Sequence, residues 1–265
     1  GFRQFGDLNS GRKKVFFIGD SYTACAQTTD KKVWHRLLAD SLGVEAFAYG
    51  AAGYGNAQEV LIAGRFLPEI KPGLVVWQFC CNDFLDNYWE LEKIANYHVR
   101  MRRPYFLENG ETVYKTAAEF PRNVKQYSRF LYFVLKKIMI ARGTFDRPPA
   151  ENAEKIIAEQ NEKSPLFSKS MAMTAAAIRK MKATLPPGTR IVAFDADHFQ
   201  PQYDQIARLC RENGVEFVDG VAESLELAER HGECVRTDDG YHWNDRGNEV
   251  GAAFLRPIIF RMIND

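Results

Sequence analysis

Two short segments of this chain carry side chains that can act together as a nucleophile and its base. Gly19-Asp20-Ser21 offers a hydroxyl, and Asp239-Gly240-Tyr241-His242 offers an imidazole with a carboxylate three residues before it. A serine hydroxyl is a weak nucleophile until a base takes its proton. Histidine suits that task because its ordinary pKa lies near neutrality. A carboxylate on the far ring nitrogen fixes the tautomer and stabilises the imidazolium that forms. The spacing lets one loop present both Asp239 and His242, and by spacing alone Asp238 competes for the carboxylate role. Taken singly, Ser21 also reads as a strand-end residue capping a helix, and Asp239-Gly240 as a surface turn.

Two further segments offer hydrogen-bond donors. Acyl transfer builds negative charge on a carbonyl oxygen, and one preorganised donor aimed at it contributes roughly 3 kcal/mol. Gly53, in the glycine-rich stretch Gly50 to Gly55, offers a backbone N–H in a loop where the chain can approach closely. Asn82, in Cys80-Cys81-Asn82-Asp83, offers a side-chain amide. Each alone is an ordinary loop residue.

The elements that must position these groups follow from the apolar pattern. Val15 to Ile18 reads as a buried strand ending at Gly19, Val33 to Leu42 as a helix closed by Gly43, and Val44 to Tyr49 as a second strand. Asn56 is placed to cap a helix running to about Ile70, Pro72-Gly73 marks a turn, and Leu74 to Phe79 is a third strand. The rhythm resumes with a strand at Arg190 to Phe194, a helix at Gln202 to Glu212, a strand at Val215 to Val218 and a helix at Ala222 to His231. Asn244 caps a last helix from Asp245 toward Met262, which Pro257 is expected to kink or shorten. Alternating strands and helices predict a parallel sheet covered on both faces. In such sheets ligands bind beyond the carboxyl ends of the strands, where three of the four segments fall.

Between the third and fourth strands lie about a hundred residues outside this rhythm. Arg103 to Lys115 predicts a hairpin with Asn109-Gly110 as a type I′ turn. Tyr127 to Ile140 and Ser168 to Thr184 predict helices, and Arg142 to Asn152, with Pro148-Pro149, a loop. Phe130 to Ala141 is interrupted by Lys136 and Lys137 and reads as a packed amphipathic helix. The aromatics Tyr88, Trp89, Tyr97, Tyr105 and Phe106 read as packing for this region. We take residues of about 85–165 as an insertion, a lid among its roles, within a single domain spanning 1–265. No internal repeat or low-complexity tract is present.

Composition narrows the function further. Lysine plus arginine total 35 against 34 acidic residues, a balance that argues against a polyanion-binding surface and hence against a nucleic-acid partner. Arg100, Arg102 and Arg103 read as a solvated surface. Five cysteines without a C-x-x-C spacing argue against a disulfide framework or a zinc site. Cys80 and Cys81 read as small apolar residues rather than thiol nucleophiles. His35, His98, His198 and His231 have no motif around them and read as structural. No G-x-S-x-G elbow, P-loop or H-E-x-x-H motif occurs, and Gly53-Tyr54-Gly55 lacks the third glycine of a dinucleotide fingerprint. No apolar run reaches the length of a membrane span.

Together, Gly19-Asp20-Ser21, Gly53, Asn82-Asp83 and Asp239-x-x-His242 resemble the SGNH hydrolases, also called GDSL hydrolases, in both content and order. The resemblance is dense at these four blocks and continues through Trp243 to Gly247. It implies a three-layer α/β/α sandwich with a flavodoxin-like five-stranded parallel sheet in the order 2-1-3-4-5. It also implies a triad of Ser21, His242 and Asp239, and an oxyanion hole from the Ser21 N–H, the Gly53 N–H and the Asn82 side chain, with no metal and no cofactor. Esterases, lipases, thioesterases, carbohydrate acetylesterases and some acyltransferases share this constellation. The chain departs at Tyr22, where leucine is usual, and at Cys80, where glycine is usual, so that a side chain stands where the pocket is expected.

The resulting expectation is an ester hydrolase acting on a small-molecule or carbohydrate ester. Short acyl groups, acetyl among them, are favoured because no apolar stretch suits a long acyl tunnel. An O-acyltransferase with a sugar hydroxyl replacing water, and a non-catalytic binding module on the same fold, are the competing readings. The chain begins at Gly1, which fits an exported or membrane-tethered bacterial protein as well as a cytoplasmic one.

Overall fold

The computed structural model describes residues 1–95, 102–117, 120, 122–142 and 152–265. Tyr97, His98, Arg100 and the Pro148-Pro149 loop lie outside them. The strands are β1 (Phe2–Gln4), β2 (Lys14–Gly19), β3 (Glu45–Gly50), β4 (Leu74–Phe79), β5 (Arg102–Phe106), β6 (Thr112–Thr116), β7 (Arg190–Asp195) and β8 (Glu216–Val218). The helices are α1 (Ser21–Ala24), α2 (Trp34–Leu42), α3 (Asn56–Ile70), α4 (Asp83–Asp86), α5 (Trp89–Lys93), α6 (Arg129–Ala141), α7 (Ala153–Gln160), α8 (Pro165–Thr184), α9 (Gln202–Glu212), α10 (Val221–Arg230) and α11 (Asp245–Asn264).

The central sheet has six strands in the order β1-β3-β2-β4-β7-β8. Five run parallel, and β1 pairs antiparallel with β3 at the edge. The sheet therefore has one strand more than expected. Three residues carry no readable period, and β1 is held by side chains instead: Phe2 packs edge-on against Tyr49 at 5.0 Å and Phe66 at 4.8 Å between ring centroids.

Burial on both faces explains the unbroken apolar runs of the parallel strands. Phe16, Ile18, Val75 and Trp77 face one way, toward α3, α8 and α9; Val15, Phe17, Leu74 and Val76 face the other, toward α2, α10 and α11. Each strand thus feeds two cores by its alternation of side chains, and the three-layer expectation holds. The carboxyl ends of β2, β3 and β4 are fixed in register, with Ile18 beside both Tyr49 and Trp77.

Several local expectations need correction. Asn56 is the first residue of α3 rather than its cap, and its side chain turns inward to Glu59 and Asp83. In the β5–β6 hairpin only Gly110 has a positive φ, 81°, so the turn is not type I′, which needs two such residues. The Gly110 N–H instead donates to the Leu107 carbonyl and the Leu107 N–H to the Glu111 carbonyl, so the loop is Glu108-Asn109-Gly110, one residue longer than a two-residue turn. Helix α11 runs through Pro257 to Asn264 without being shortened. The expectation of a packed helix at Phe130 to Ala141 fails: no residue of α6 is buried, and Phe130 is 78% exposed. Its apolar content is high, but among the described residues no core forms over it. Tyr105 and Phe106, by contrast, are fully packed. Among the described residues no helix is long and apolar enough to cross a membrane.

Candidate active site

Ser21 opens α1 directly after β2, so the strand end and the helix start share one sharp corner. Asp20 caps that helix, its Oδ1 accepting the Tyr22 N–H at 3.1 Å. Gln78 of β4 holds the cap in place, donating from Nε2 to Asp20 Oδ1 at 3.0 Å and accepting the Thr23 hydroxyl at 3.0 Å. The corner is closely packed. A Cβ on Gly19 would meet Gln78 Oε1 at 2.3 Å, and one on Gly50 would meet the Ala24 backbone nitrogen at 2.3 Å. Glycine at both positions lets β2 and β3 end against α1.

The loop before α11 brings the histidine to this corner. His242 Nε2 lies 2.9 Å from Ser21 Oγ, and His242 Nδ1 lies 2.6 Å from Asp239 Oδ2. The carboxylate places the ring proton on Nδ1 and leaves Nε2 as the acceptor facing Ser21. Of the two candidate carboxylates, Asp239 makes the contact. Its other oxygen accepts the Tyr241 N–H at 2.8 Å, the His242 N–H at 3.0 Å and the Thr237 hydroxyl at 2.8 Å. Burial opposes ionisation of Asp239, but these donors and the imidazole outweigh it and hold the carboxyl well below its usual range. Gly240, at φ 77°, makes the turn that carries the carboxylate back to the imidazole. Arg236 ties the loop from outside, donating to the Tyr241 carbonyl at 3.0 Å. Tyr22, at the departure from leucine, donates to the same carbonyl at 3.2 Å, and its ring lies 5.1 Å from that of His242.

Gly53 and Asn82 sit on the neighbouring strand ends. The Tyr54 N–H donates to the Ala51 carbonyl at 3.1 Å, closing a turn whose third residue, Gly53, has φ 72°. That is the conformation a type II turn demands of its third residue. Asn82 follows β4; its Nδ2 donates to Asp86 Oδ2 at 2.8 Å, and its Oδ1 lies 2.8 Å from Cys80 Sγ. Cys80 is fully buried, its Sγ 2.8 Å from Asn82 Oδ1 and 3.1 Å from Asp20 Oδ2, so the side chain that departs from glycine lies beneath the loop. Burial and then the Asp20 carboxylate push its thiol well above the usual range, which keeps the S–H as a donor.

Residues that the sequence reading passed over hold this arrangement from below. Asp197 accepts the Cys81 N–H at 2.9 Å, and burial pushes its carboxyl up to about 6. Asp86 lies four residues after Asn82, a spacing that already marks a shared helical face. Arg103, taken from sequence as solvated surface, is 3% exposed and paired with Asp86 and Glu92. No local pattern reveals it, because its partners come from other loops. His35 is fully buried in α2, and His198 is paired with Glu223 and Glu226. A cavity of about 260 Å³ opens beside the histidine loop, lined among others by Tyr22, Asp197, His198, Phe199 and Tyr241.

The arrangement can take a proton from a serine hydroxyl, pass it to an imidazole and hold the resulting cation with a carboxylate. Residues 17–250 match the profile of the GDSL-like lipase/acylhydrolase family. The chain belongs to this family. The GDSL protein is accordingly a carboxylic ester hydrolase, of a family in which a catalytic triad and an oxyanion hole are typical. No curated protein sequence matches it. Among solved structures it is similar to the psychrotrophic esterase EstA from Pseudoalteromonas sp., with 10% identity, a TM-score of 0.50, and coverage of 96% of this chain and 100% of that one. That likeness is one of fold. TesA covers 94% of this chain and 99% of its own at 14% identity and a TM-score of 0.49. A catalytic mutant of Axe2, an acetylxylan esterase from Geobacillus stearothermophilus, covers 97% and 95% at 13% identity and a TM-score of 0.47.

Proposed function

We propose that this GDSL protein hydrolyses small carboxylic esters through an acyl-enzyme on Ser21, with His242 as general base and Asp239 as its orienting carboxylate. The observation that carries this reading is the pair of consecutive hydrogen bonds, 2.9 Å from Ser21 Oγ to His242 Nε2 and 2.6 Å from Nδ1 to Asp239 Oδ2. Ser21 Oγ attacks the acyl carbon and its proton moves to Nε2. The negative oxygen of the tetrahedral intermediate takes hydrogen bonds from the Ser21 N–H, the Gly53 N–H and the Asn82 amide. On collapse, His242 returns the proton to the leaving alcohol. Water then attacks the acyl-enzyme by the same route, releasing the acid and restoring Ser21. We read residues 1–265 as one domain for this chemistry, with about 85–165 inserted beside the sheet.

The short-acyl preference rests on the sequence, which has no apolar stretch for a long acyl chain; the cavity of about 260 Å³ is lined by Tyr22, Asp197, His198 and Tyr241 among others, behind the histidine loop, and not by Ser21, Gly53 or Asn82. Phe199 and Tyr241, 46% and 57% exposed at its rim, offer ring faces to a small or carbohydrate alcohol. The test is hydrolysis of p-nitrophenyl acetate, butyrate and octanoate by the wild type and by Ser21→Ala. The reading expects turnover that falls with chain length and is abolished in the variant. Octanoate turned over as fast as acetate would reject the short-acyl preference; turnover surviving in Ser21→Ala would reject the serine route.

A further inference from the structure

Two of the three oxyanion donors sit on separate loops, and one buried side chain from the insertion ties those loops together. Arg103 Nη1 donates to the Gly53 carbonyl at 2.7 Å and to Asp86 Oδ1 at 2.5 Å. Asp86 Oδ2 in turn accepts Asn82 Nδ2 at 2.8 Å. Arg103 Nη2 donates to Glu92 Oε1 at 2.8 Å, and Glu92 Oε2 accepts the Tyr105 hydroxyl at 2.5 Å. The guanidinium is 3% exposed, and the side chains of Asp86 and Glu92 are wholly buried. A single nitrogen therefore touches the turn that carries one donor and the carboxylate that orients the other.

We propose that Arg103 is a positioning residue for the oxyanion hole, an inference that rests on Gly53 and Asn82 being its donors. Beside a permanent cation Asp86 is held as a carboxylate, which can only accept. An acceptor-only neighbour obliges Asn82 to present its NH2 group, one hydrogen to Asp86 and the other to the substrate oxygen. The Cys80 thiol supports this orientation from the other side, 2.8 Å from Asn82 Oδ1. Where residue 86 can donate, as an amide does in Asp86→Asn, it suits Asn82 Oδ1 as well as Nδ2, and a flipped amide puts an acceptor where the oxyanion needs a donor. With Arg103 replaced, the carboxylate loses the donor that holds its Oδ1, and with it the fixed place of Oδ2 against Asn82. At the Gly53 turn the same loss frees the carbonyl that fixes the peptide following the glycine. The guanidinium fork suits this task because its two terminal nitrogens reach Gly53, Asp86 and Glu92 together; an ammonium is a point charge on one atom.

The test compares Arg103→Lys, Asp86→Asn, Asn82→Ala and the double variant Asp86→Asn with Asn82→Ala, using p-nitrophenyl acetate turnover and inhibition by an alkyl boronic acid that forms a tetrahedral adduct. Circular dichroism and thermal melting check the fold. Asp86→Asn is close in size and leaves Glu92 to pair with Arg103, so it carries the test if Arg103→Lys is unfolded. The expected result is a kcat lowered roughly 10- to 100-fold in each relay variant with KM within about twofold, and a matching loss of boronate affinity. The double variant should be little worse than Asn82→Ala, because the relay acts through that amide. Folded relay variants with wild-type kcat, or losses that multiply in the double variant, would overturn the proposal. Wild-type kcat in Asn82→Ala would instead reject the oxyanion assignment beneath it.

Discussion

Asp239 grips His242 at two points: its Oδ2 lies 2.6 Å from the ring Nδ1, and its Oδ1 accepts the histidine's own backbone N–H at 3.0 Å. The carboxylate therefore sets both the position and the tautomer of the imidazole. Asp239→Asn keeps the shape but offers an amide that can hydrogen-bond either tautomer. We expect kcat to fall roughly 10²- to 10⁴-fold with KM little changed. Steady-state kinetics on p-nitrophenyl acetate measures this, and a kcat within a few-fold of wild type would show that the carboxylate plays no part.

Asn82 is predicted to act on the transition state alone. Its replacement by alanine should lower kcat by roughly 10²- to 10³-fold, the cost of one lost oxyanion donor, while KM stays near wild type. A variant that raises KM at unchanged kcat would make Asn82 a substrate-binding residue instead.

These two residues were legible in the sequence, and the reason is physical. A strand-end serine, a loop glycine, an asparagine and an Asp-x-x-His pair are local patterns, and the strand–helix rhythm alone brings three of them to one end of a sheet. Hydrogen bonds from Ser21 to His242 and from His242 to Asp239 join two of those patterns. Spacing did not separate Asp238 from Asp239; the hydrogen bonds do. What stayed hidden is whatever depends on distant partners. Arg103 reads as surface because its neighbours in sequence are basic, yet it is buried against Asp86, Glu92 and Gly53. Helix α6 shows the reverse error, since apolar content alone does not tell whether another surface is there to cover it. The edge strand β1 is too short to carry a period.

Thiol chemistry should be confined to one place. Cys80, Cys81, Cys25 and Cys210 have thiols pushed upward, each first by burial, whereas Cys234 is exposed. Iodoacetamide on the folded protein at pH 8 should therefore alkylate Cys234 first and leave esterase activity intact. Peptide mass mapping locates the label. Rapid labelling of Cys80 with loss of activity would contradict its placement beneath Asn82.

His35 should make the protein acid-sensitive. It is wholly buried beside Phe17 and Trp34, and desolvation pushes its pKa down to about 3. An unfolded histidine takes its proton near pH 6.5. Between these values the unfolded chain binds more protons than the folded one, so this contribution to stability is lost as pH falls. Replacing His35 with leucine removes it. Urea unfolding should show the variant gaining about 2 kcal/mol relative to wild type on going from pH 7 to pH 4.5. An unchanged difference between the two proteins would mean that His35 is protonated in the folded state.

The central claim, that Ser21 is the nucleophile activated by His242, is tested most directly by trapping it. Wild type, Ser21→Ala and His242→Ala are treated with a fluorophosphonate, and intact mass and peptide mapping are recorded. The account predicts one adduct, on the peptide bearing Ser21, formed with loss of esterase activity, absent in Ser21→Ala and strongly slowed in His242→Ala. An esterase that stays active and unlabelled, or an adduct on another residue that tracks the loss of activity, would contradict it.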